Sequence, residues 1–357
     1  MENKKRVLIG MSGGVDSSVA ALLLQKQGYD VVGCTMRLWD DPNQISGCSN
    51  TNAISDAKTI CDKLGIEHHV IDFREEFKNH VIENFICEYR ECRTPNPCIE
   101  CNKHMKFDLM FKKANELGCD YIATGHYAKT EYSDEYNRYV IRKSNSDKKD
   151  QSYVLYNIPK DKVEFVLFPL SDFTSKDEIR KIANDNDLIN ANRPDSQDIC
   201  FVPDGDYISF LKNNSDIKSK EGNIVTTDGK VLGKHKGLIS YTIGQRKGLG
   251  IGGGTVYYVI KLDKEKNELV VGSEKEVMSK TCIATSINII LYDDIKDDLH
   301  VNAKIRYNSK PIGASIKMID NNEILVTFDD EAKSVTPGQS IVFYTDDGII
   351  IGGGIIK

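Results

Sequence analysis

Short apolar runs alternate with amphipathic stretches along the first third of the chain, and several of these stretches end at a glycine. The apolar run Arg6–Met11 precedes a helical stretch, Ser17–Gln27, which Gly28 closes. The pattern repeats, with strands predicted over Val31–Met36, Glu67–Phe73 and Tyr121–Thr124 and helices over Asn52–Leu64, Glu75–Tyr89 and Lys103–Leu117. This alternation is typical of a parallel, doubly wound α/β sheet.

The periodicity changes in the second half of the chain. Ser175 and Glu178 form a capping box that predicts one more helix, up to about Asn186. After Cys200, apolar residues recur at every second position, as in Val301, Ala303, Ile305 and Tyr307 and in Ile324, Val326 and Phe328. Short strands of this kind predict a middle segment followed by a small C-terminal β-barrel or sandwich.

The composition is that of an ordinary globular chain. Hydrophobic residues make up 40% and charged residues 28% of the 357 positions, which excludes a disordered or fibrous protein. Apolar runs stay far below the roughly 20 residues that span a bilayer, and the start does not resemble a signal peptide, so we expect a cytoplasmic protein with no membrane partner. The net charge of −6 argues only weakly against a nucleic-acid partner, because local patches govern binding.

The first candidate site is the loop that joins the first strand to the first helix. It reads Ser12-Gly13-Gly14-Val15-Asp16-Ser17-Ser18. Glycines let backbone N–H groups approach a ligand, and a helix N-terminus favours an anion. The serines can donate to phosphate oxygens and Asp16 can hold Mg²⁺. Without a Gly-Lys-Ser/Thr or Gly-x-Gly-x-x-Gly motif the loop is neither a Walker A loop nor a dinucleotide fingerprint.

The second candidate site is a pair of cysteines, Cys98 and Cys101, between two proline-stiffened turns and a helix predicted to begin near Asn102. A helix start favours thiolate, which is both a nucleophile and a metal ligand. Cys200 is a third candidate, and a buried strand cysteine is its alternative interpretation. A zinc site that uses Cys87 and Cys92 stays open, although their spacing fits poorly.

The other cysteines are weaker candidates for a catalytic or metal-binding role. Ten cysteines in a reducing compartment do not indicate a disulfide framework. We interpret the five in apolar patterns as packing residues: Cys34, Cys61, Cys87, Cys119 and Cys282. The role of Cys48, in a polar loop, stays open.

Residues 229–262 carry six lysines and arginines and no acidic residue. In an acidic protein such a stretch is a candidate phosphate-contact surface, with a solvated basic loop as the alternative. His126 directly follows a predicted strand, at the edge where open α/β sheets bind ligands.

Several motifs together resemble the tRNA 2-thiouridylase family of PP-loop ATP pyrophosphatases, over the entire chain. The matching segments are Ser12–Ser17, Thr94–Asn102, Ala123–Tyr127, Lys149–Tyr153, Asp198–Phe201, Gly244–Gly250 and Thr336–Gln339. The resemblance implies a PP-loop ATP-binding domain over residues 1–204, a central β-rich domain over 205–276 and a tRNA-contacting C-terminal β-barrel over 277–357. It also implies that ATP adenylates the C2 oxygen of the wobble uridine in lysine, glutamate and glutamine tRNAs before sulfur replaces that oxygen.

The resemblance also implies roles for individual residues. The nucleotide would be bound by Gly10, Met11, Ser12, Gly13, Gly14, Val15, Asp16, Ser17, Met36 and Gly125. The target base would meet Asn96, Pro97 and Cys98, and the tRNA would meet His126, Lys149, Asp150, Gln151, Arg306, Tyr307 and Gln339. Cys101 would be the nucleophile and Cys200 the persulfide carrier. Strand alternation places Tyr307 on the core face, which weakens its assignment as a tRNA contact.

One departure from the family pattern concerns the sulfur chemistry. Better-known members carry aspartate where this chain has Cys98, so three cysteines, Cys98, Cys101 and Cys200, could together hold a [4Fe–4S] cluster. Two hypotheses follow: a cluster that delivers inorganic sulfide, or a relay in which a cysteine desulfurase or carrier protein loads Cys200 and a Cys101–Cys200 disulfide forms.

Two other functions are weighed against tRNA thiolation. A PP-loop amide or amidine synthetase would adenylate its substrate and admit ammonia, but it would need no cysteines. A metal-stabilised nucleic-acid-binding protein would not need the intact Ser12, Asp16 and Ser17.

Overall fold

The computed structural model describes residues 4–40, 51–146, 148–192, 199–202, 205–295, 298–320 and 322–357. By their internal contacts, two compact units form. The first comprises Met1–Ile82, Pro97–Gly205 and Asp347–Ile350, and the second comprises Glu83–Asn96, Asp206–Asp346 and Ile351–Lys357. Within the described ranges, no helix has the length and apolar character needed to cross a membrane.

A parallel sheet organises the first unit. Its strands in chain order are β1 (Arg6–Gly10), β2 (Asp30–Arg37), β3 (Glu67–Asp72), β4 (Tyr121–Ala123), β5 (Ala128–Ser133), β6 (Arg138–Lys143) and β7 (Val166–Leu167). Five of them form an all-parallel sheet in the order β3-β2-β1-β4-β7, while β5 and β6 form an antiparallel hairpin. The predicted α/β class is confirmed.

The α-helices in chain order are α1 (Val15–Lys26), α2 (Thr51–Leu64), α3 (Arg74–Phe77), α4 (Glu83–Arg90), α5 (Pro97–Cys101), α6 (Met110–Glu116), α7 (Lys176–Asp185) and α8 (Tyr207–Asn214). Short 3₁₀ turns cover Ser152–Leu155, Lys160–Phe165, Leu238–Ser240 and Lys275–Val277. Apolar side chains of α1 and α7, including Val19, Leu24 and Ile179, share one buried cluster with the strand residues Val7 and Ile9. The predicted capping box at Ser175 is present.

Two predicted helices are interrupted by wider, π-helical turns. The helix predicted over Glu75–Tyr89 consists of α3, a π-helical segment Lys78–Ile82 and α4. The helix predicted to begin near Asn102 begins instead at Pro97, as α5, and continues through a π-helical segment, Asn102–Leu109, into α6. That predicted start is therefore wrong, because Pro97 itself opens the helix, a position where the missing N–H of proline costs no hydrogen bond.

The second unit is built mainly from strands. In chain order these are β8 (Gly222–Thr226), β9 (Val231–His235), β10 (Tyr258–Asp263), β11 (Glu268–Gly272), β12 (Met278–Ile289), β13 (Leu299–Lys304), β14 (Ile312–Asp320), β15 (Glu323–Lys333), β16 (Ser340–Tyr344) and β17 (Ile350–Ile356). The first four form a sheet in the order β10-β11-β8-β9, and the remaining strands close into a barrel, β12-β15-β14-β13-β16-β17. The predicted β-rich middle segment and C-terminal barrel are confirmed.

The period-two pattern matches the buried positions of β15 and those from Val301 to Ile305, but it does not match at Tyr307. Ile324, Val326 and Phe328 are all fully buried, as the period-two pattern predicts. The strand predicted over 301–307 ends at Lys304, and Tyr307 lies in the following turn, where it is half-buried. The assignment of Tyr307 to the core face of a strand is therefore wrong.

Candidate active site

The loop after β1 and the segment after β4 meet at the switch point of the sheet. The chain leaves β1 towards β2 and β3, whereas β4 pairs with the opposite side of β1. Ligands of open α/β sheets bind in the crevice that such a reversal creates. Gly125 lies directly against the start of α1, since a Cβ added there would stand 2.9 Å from Ser17 N and 3.0 Å from the Asp16 carbonyl carbon.

The predicted nucleotide residues lie on this edge of the sheet. Gly10 ends β1, Met11 donates its N–H to Cys34 O (2.7 Å), and the half-buried Met36 lies near the end of β2. Gly14 is the N-cap of α1, and Val15 is its first residue.

Internal hydrogen bonds fix the shape of the loop. Gly13 has φ +73°, and a Cβ there would stand 2.7 Å from Ala53 O, so only glycine fits. Ser17 Oγ donates to Gly14 O (3.0 Å), whereas Ser12 is exposed. Asn190, which the sequence reasoning missed, donates its Nδ2 to Gly13 O and to Ser18 Oγ, both at 2.9 Å. No pattern around Asn190 signals this role, because its partners lie more than 170 positions earlier.

Asp16 accepts hydrogen bonds from two side chains that the sequence reasoning also missed. Tyr127 Oη donates to Asp16 Oδ1 (2.7 Å), and Lys176 Nζ lies 2.6 Å from Asp16 Oδ2. Tyr127 is in turn held by Gln151, whose Oε1 accepts from Tyr127 N (3.0 Å) and whose N–H donates to Tyr127 O (2.8 Å). The carboxylate proposed for Mg²⁺ is thus oriented by a hydroxyl and an ammonium.

The Asp150 carboxylate is hydrogen-bonded within its own loop. Its side chain is buried and accepts hydrogen bonds from Ser144 N (3.1 Å), Ser152 N (3.2 Å) and Ser152 Oγ (2.8 Å). In this conformation its carboxylate holds its own loop together, and the neighbouring Lys149 is half-buried.

His126 lies among groups that favour its neutral form. Its Nδ1 is 2.8 Å from Thr124 Oγ1, its Nε2 is 3.4 Å from Lys106 Nζ, and its ring packs near Phe107 and Phe168. Desolvation, with a smaller contribution from the Lys106 charge, holds the pKa of His126 well below its usual value. The imidazole is therefore uncharged at neutral pH.

The two cysteines of the C-x-x-C motif lie within α5. Pro97 is buried, Cys98 is exposed and Cys101 is half-buried. Helix α5 packs against the π-helical segment Lys78–Ile82. The ring of His80 in that segment stacks at 4.4 Å on the ring of His104, which lies in the π-helical segment after α5.

Cys200 is half-buried, and its neighbour Phe201 packs edge-on against Phe77 (5.6 Å), which ends α3 directly before the same π-helical segment. Asp198, the first residue of the matched segment around Cys200, lies outside the described residues. Within the described ranges, no three His, Cys, Asp or Glu side chains are arranged to hold a metal ion, so the predicted Cys98, Cys101 and Cys200 ligand set is not formed in this conformation.

The remaining cysteines mostly pack as predicted. Cys34 and Cys61 are fully buried, and burial raises the pKa of each thiol to about 12. Cys119 is also buried, and burial raises the pKa of the half-buried Cys282 to about 12. Cys87 is exposed, so its assignment to packing is wrong: it lies on the outer face of α4. Cys48 lies outside the described residues.

The predicted tRNA contacts of the second unit are partly engaged within that unit. Arg306 Nη2 donates to Ile243 O (3.0 Å), Ser334 O (2.9 Å) and the hydroxyl of Thr336. Gln339 Nε2 donates to Thr94 O (2.8 Å).

Two further predicted residues of this unit, Asn96 and Tyr307, are half-buried, and the Lys304 ammonium lies 5.5 Å from the centre of the Tyr307 ring. The basic stretch 229–262 is exposed at Lys230, Lys234, Lys236, Arg246, Lys247 and Lys261.

Sequence comparison places these features in a known family. Three family models match in order, described as a tRNA methyl transferase HUP domain (residues 5–204), a tRNA methyl transferase PRC-barrel domain (208–273) and an aminomethyltransferase beta-barrel domain (279–356). The tRNA-specific 2-thiouridylase MnmA of Clostridioides difficile is 49% identical over 99% of this chain and 98% of that protein. This chain belongs to the MnmA family.

Other MnmA proteins are similarly close. The tRNA-specific 2-thiouridylases MnmA of Clostridium botulinum (strain Alaska E43) and Acetivibrio thermocellus are 48% and 47% identical, each over 99% of this chain. A solved structure, the U34-tRNA thiolase NcsA from Methanococcus maripaludis with its [4Fe-4S] cluster, is 20% identical over 59% of this chain and 65% of that chain, with a TM-score of 0.35. A similarity this low supports no conclusion about a cluster in this MnmA-family chain.

Proposed function

We propose that this protein is an ATP-dependent tRNA-uridine 2-sulfurtransferase that converts uridine to 2-thiouridine. Its membership of the MnmA family, over 99% of the chain, is the observation that carries the proposal. The loop Ser12–Ser18, at the switch point of a parallel sheet, supplies the phosphate site that an adenylating enzyme needs. The three-domain division at 1–204, 205–276 and 277–357 belongs to the same proposal, supported by the family matches at 5–204, 208–273 and 279–356.

The first step uses the sheet-edge residues. ATP binds along the loop with its α-phosphate at the start of α1, near Gly125 and Met36. The C2 oxygen of the wobble uridine, in lysine, glutamate and glutamine tRNAs, attacks the α-phosphorus and pyrophosphate leaves. Asp16 is the one carboxylate of the loop and would hold the Mg²⁺ that accompanies the phosphates. Asn96, Pro97 and Cys98 would surround the target base.

The second step transfers sulfur. We route it through Cys200 and Cys101, since the described thiols do not form a cluster ligand set. A donor protein places a sulfur on Cys200 as a persulfide, and the terminal sulfur attacks C2 of the adenylated uridine, so that AMP leaves with the former C2 oxygen. The Cys101 thiolate then attacks Cys200 Sγ, which releases 2-thiouridine and leaves a Cys101–Cys200 disulfide. A cellular dithiol reduces that disulfide before the next cycle.

The tRNA contacts divide between polar side chains and the basic stretch. His126, Lys149, Arg306, Tyr307 and Gln339 are proposed as direct contacts, and Asp150 and Gln151 as residues that shape the loop next to them. The exposed cations of residues 229–262 would bind phosphates.

The deciding experiment measures 2-thiouridine on unmodified tRNA under anaerobic conditions with ATP and Mg²⁺. Iron-free enzyme receives a persulfide-loaded donor, and reconstituted enzyme receives inorganic sulfide. We expect thiolation by the iron-free enzyme, loss of at least about 100-fold in Cys101→Ser and Cys200→Ser, and little change in Cys98→Ala. Cys282→Ser, in the barrel, is the control for loss of a thiol.

Each part of the proposal has its own contrary outcome. Thiolation by the reconstituted enzyme alone, with a loss in Cys98→Ala, would replace the relay by the cluster route. Absence of tRNA-stimulated pyrophosphate release would contradict adenylation of tRNA, and release of pyrophosphate with ammonia and a carboxylate substrate would favour the amide synthetase.

A further inference from the structure

A buried lysine points at the proposed metal-binding carboxylate. The side chain of Lys176 is only 10% exposed, and its ammonium lies 2.6 Å from Asp16 Oδ2. Lys176 is the first residue of α7, and the capping box between Ser175 and Glu178 fixes where that helix begins. Burial of Ile179 in the same cluster as α1 holds the helix against the loop. The fold therefore holds the Lys176 ammonium at the loop, and its ion pair with Asp16 is not a chance contact between exposed side chains.

A magnesium ion at Asp16 would compete with this arrangement. Oδ1 accepts from the Tyr127 hydroxyl and Oδ2 faces the Lys176 ammonium. A Mg²⁺ ion takes carboxylate oxygens at about 2.1 Å and would repel an ammonium on the same oxygen. A metal ion at Asp16 would therefore weaken the contact with the Lys176 ammonium, which lies beside the position proposed for the phosphates.

The triphosphate offers the Lys176 ammonium an anionic partner. It carries several negative charges, and it would lie along the loop at the start of α1, which contains Asp16. We infer that Lys176 is a further nucleotide-binding residue, whose ammonium pairs with Asp16 in the nucleotide-free protein and with a phosphate oxygen of ATP in the complex, whether or not Mg²⁺ is present. This inference rests on the proposed use of ATP at the loop.

The alternative is that Lys176 only orients Asp16. The two roles differ in what they do to ligands that carry different charges. A phosphate-binding lysine affects ATP and not adenosine, and it still acts when Mg²⁺ is absent. A lysine that only orients Asp16 affects ATP binding through the metal, so chelation of Mg²⁺ abolishes its effect.

The test measures binding of ATP and of adenosine by calorimetry, in EDTA and in Mg²⁺, to wild type, Lys176→Met and Lys176→Arg. Lys181→Ala, an exposed lysine of the same helix, is the matched control. A charged hydrogen bond to phosphate predicts a loss of about 10- to 100-fold in ATP affinity in EDTA for Lys176→Met. Adenosine affinity should change less than about twofold, and Lys176→Arg should recover most of the lost ATP affinity.

The affinity for a metal ion gives a second test, because the loss of Lys176 should raise it while lowering the affinity for ATP. Without nucleotide, Lys176→Met should bind Mn²⁺ more tightly than wild type, measured by electron paramagnetic resonance, because the competing ammonium is gone. Equal ATP affinity of wild type and Lys176→Met in EDTA would overturn the inference. If Lys176→Met does not fold, an unchanged ATP affinity in Lys176→Gln overturns it in the same way. Failure of the wild type itself to bind ATP would instead contradict the proposed function.

Discussion

At the scale of single residues, several polar groups of the predicted motifs make hydrogen bonds within the protein itself. Buried polar side chains almost always find hydrogen-bond partners. Asp150, Arg306 and Gln339 each use their polar groups within their own unit. A motif identified in the sequence therefore contains residues held by internal hydrogen bonds beside candidates for substrate binding, and the contacts in the structure help to separate the two.

The buried Asp150 and its neighbour Lys149 should separate stability from tRNA binding. Asp150→Ala removes the acceptor for Ser144 N and Ser152 N, so we expect a loss of about 1–3 kcal/mol in the free energy of unfolding. Lys149→Ala should leave that free energy nearly unchanged and weaken tRNA binding. Chemical denaturation and tRNA titration of both variants check this. Equal stability of the two variants would contradict a structural role for Asp150.

His126 should make the protein less stable in mild acid. Its pKa is lowered in the folded state, so the unfolded imidazole, with a pKa near 6.5, takes up a proton that the folded one does not. Its contribution is full above about pH 6.5 and is lost as the pH falls below that value, by up to about 1.4 kcal/mol per pH unit. Denaturation of His126→Gln between pH 5 and 7.5 should show a shallower loss than wild type. If His126→Gln and wild type lost stability in parallel below pH 6.5, the neutral state of His126 would be disproved.

At the scale of elements, periodicity predicts where helices occur but not their winding. The helices over 74–90 and 97–116 were expected as regular, yet each contains a π-helical segment. The second of these segments begins directly after Cys101. Hydrophobic spacing averages over a turn and cannot detect one extra residue, which the packing of α5 on its neighbours decides.

Gly125 should be intolerant of any side chain because it touches the start of α1. Alanine would place its Cβ 2.9 Å from Ser17 N, closer than non-bonded atoms approach, so the loop must shift. We expect Gly125→Ala to lose at least about tenfold in ATP affinity, measured by calorimetry. Gly233→Ala, at a strand position with open space around it, should bind ATP as wild type does. Normal ATP affinity in Gly125→Ala would contradict the position proposed for the nucleotide.

At the scale of the whole molecule, sequence order and spatial grouping differ. Residues 83–96 lie between the third and fourth strands of the first unit in sequence, yet they group with the C-terminal strands in the second unit. Thr94 N donates to Pro337 O (2.9 Å), and a Cβ on Gly338 would stand 2.8 Å from Thr94 N. Arg306 joins Ile243 to Ser334 in the same unit. The central sheet and the barrel thus share hydrogen bonds that no local pattern indicates.

The exposed cations of the basic stretch should determine how strongly salt weakens tRNA binding. Each phosphate contact adds about 0.7–0.9 to the slope of log affinity against log salt. Replacing Lys230, Lys234 and Lys236 with glutamine should lower the slope by about 2, measured by tRNA titration at several salt concentrations. The same change at Lys58, Lys112 and Lys181, three exposed lysines of the first unit, is the control. Equal slopes for the two triple variants would contradict a phosphate-contact surface at residues 229–262.

The sequence by itself determined the fold class, the β-rich second half, the glycine-rich turn after β1 and the family. These follow from local features, because strand and helix periods, a capping box and a glycine-rich turn are all encoded within a few residues. The tertiary structure alone decided that Asp16 meets Tyr127 and Lys176 and that Asn190 holds the loop. Such pairs join residues more than 100 positions apart, and local periodicity carries no information about which distant side chains the packing of helices and strands brings together.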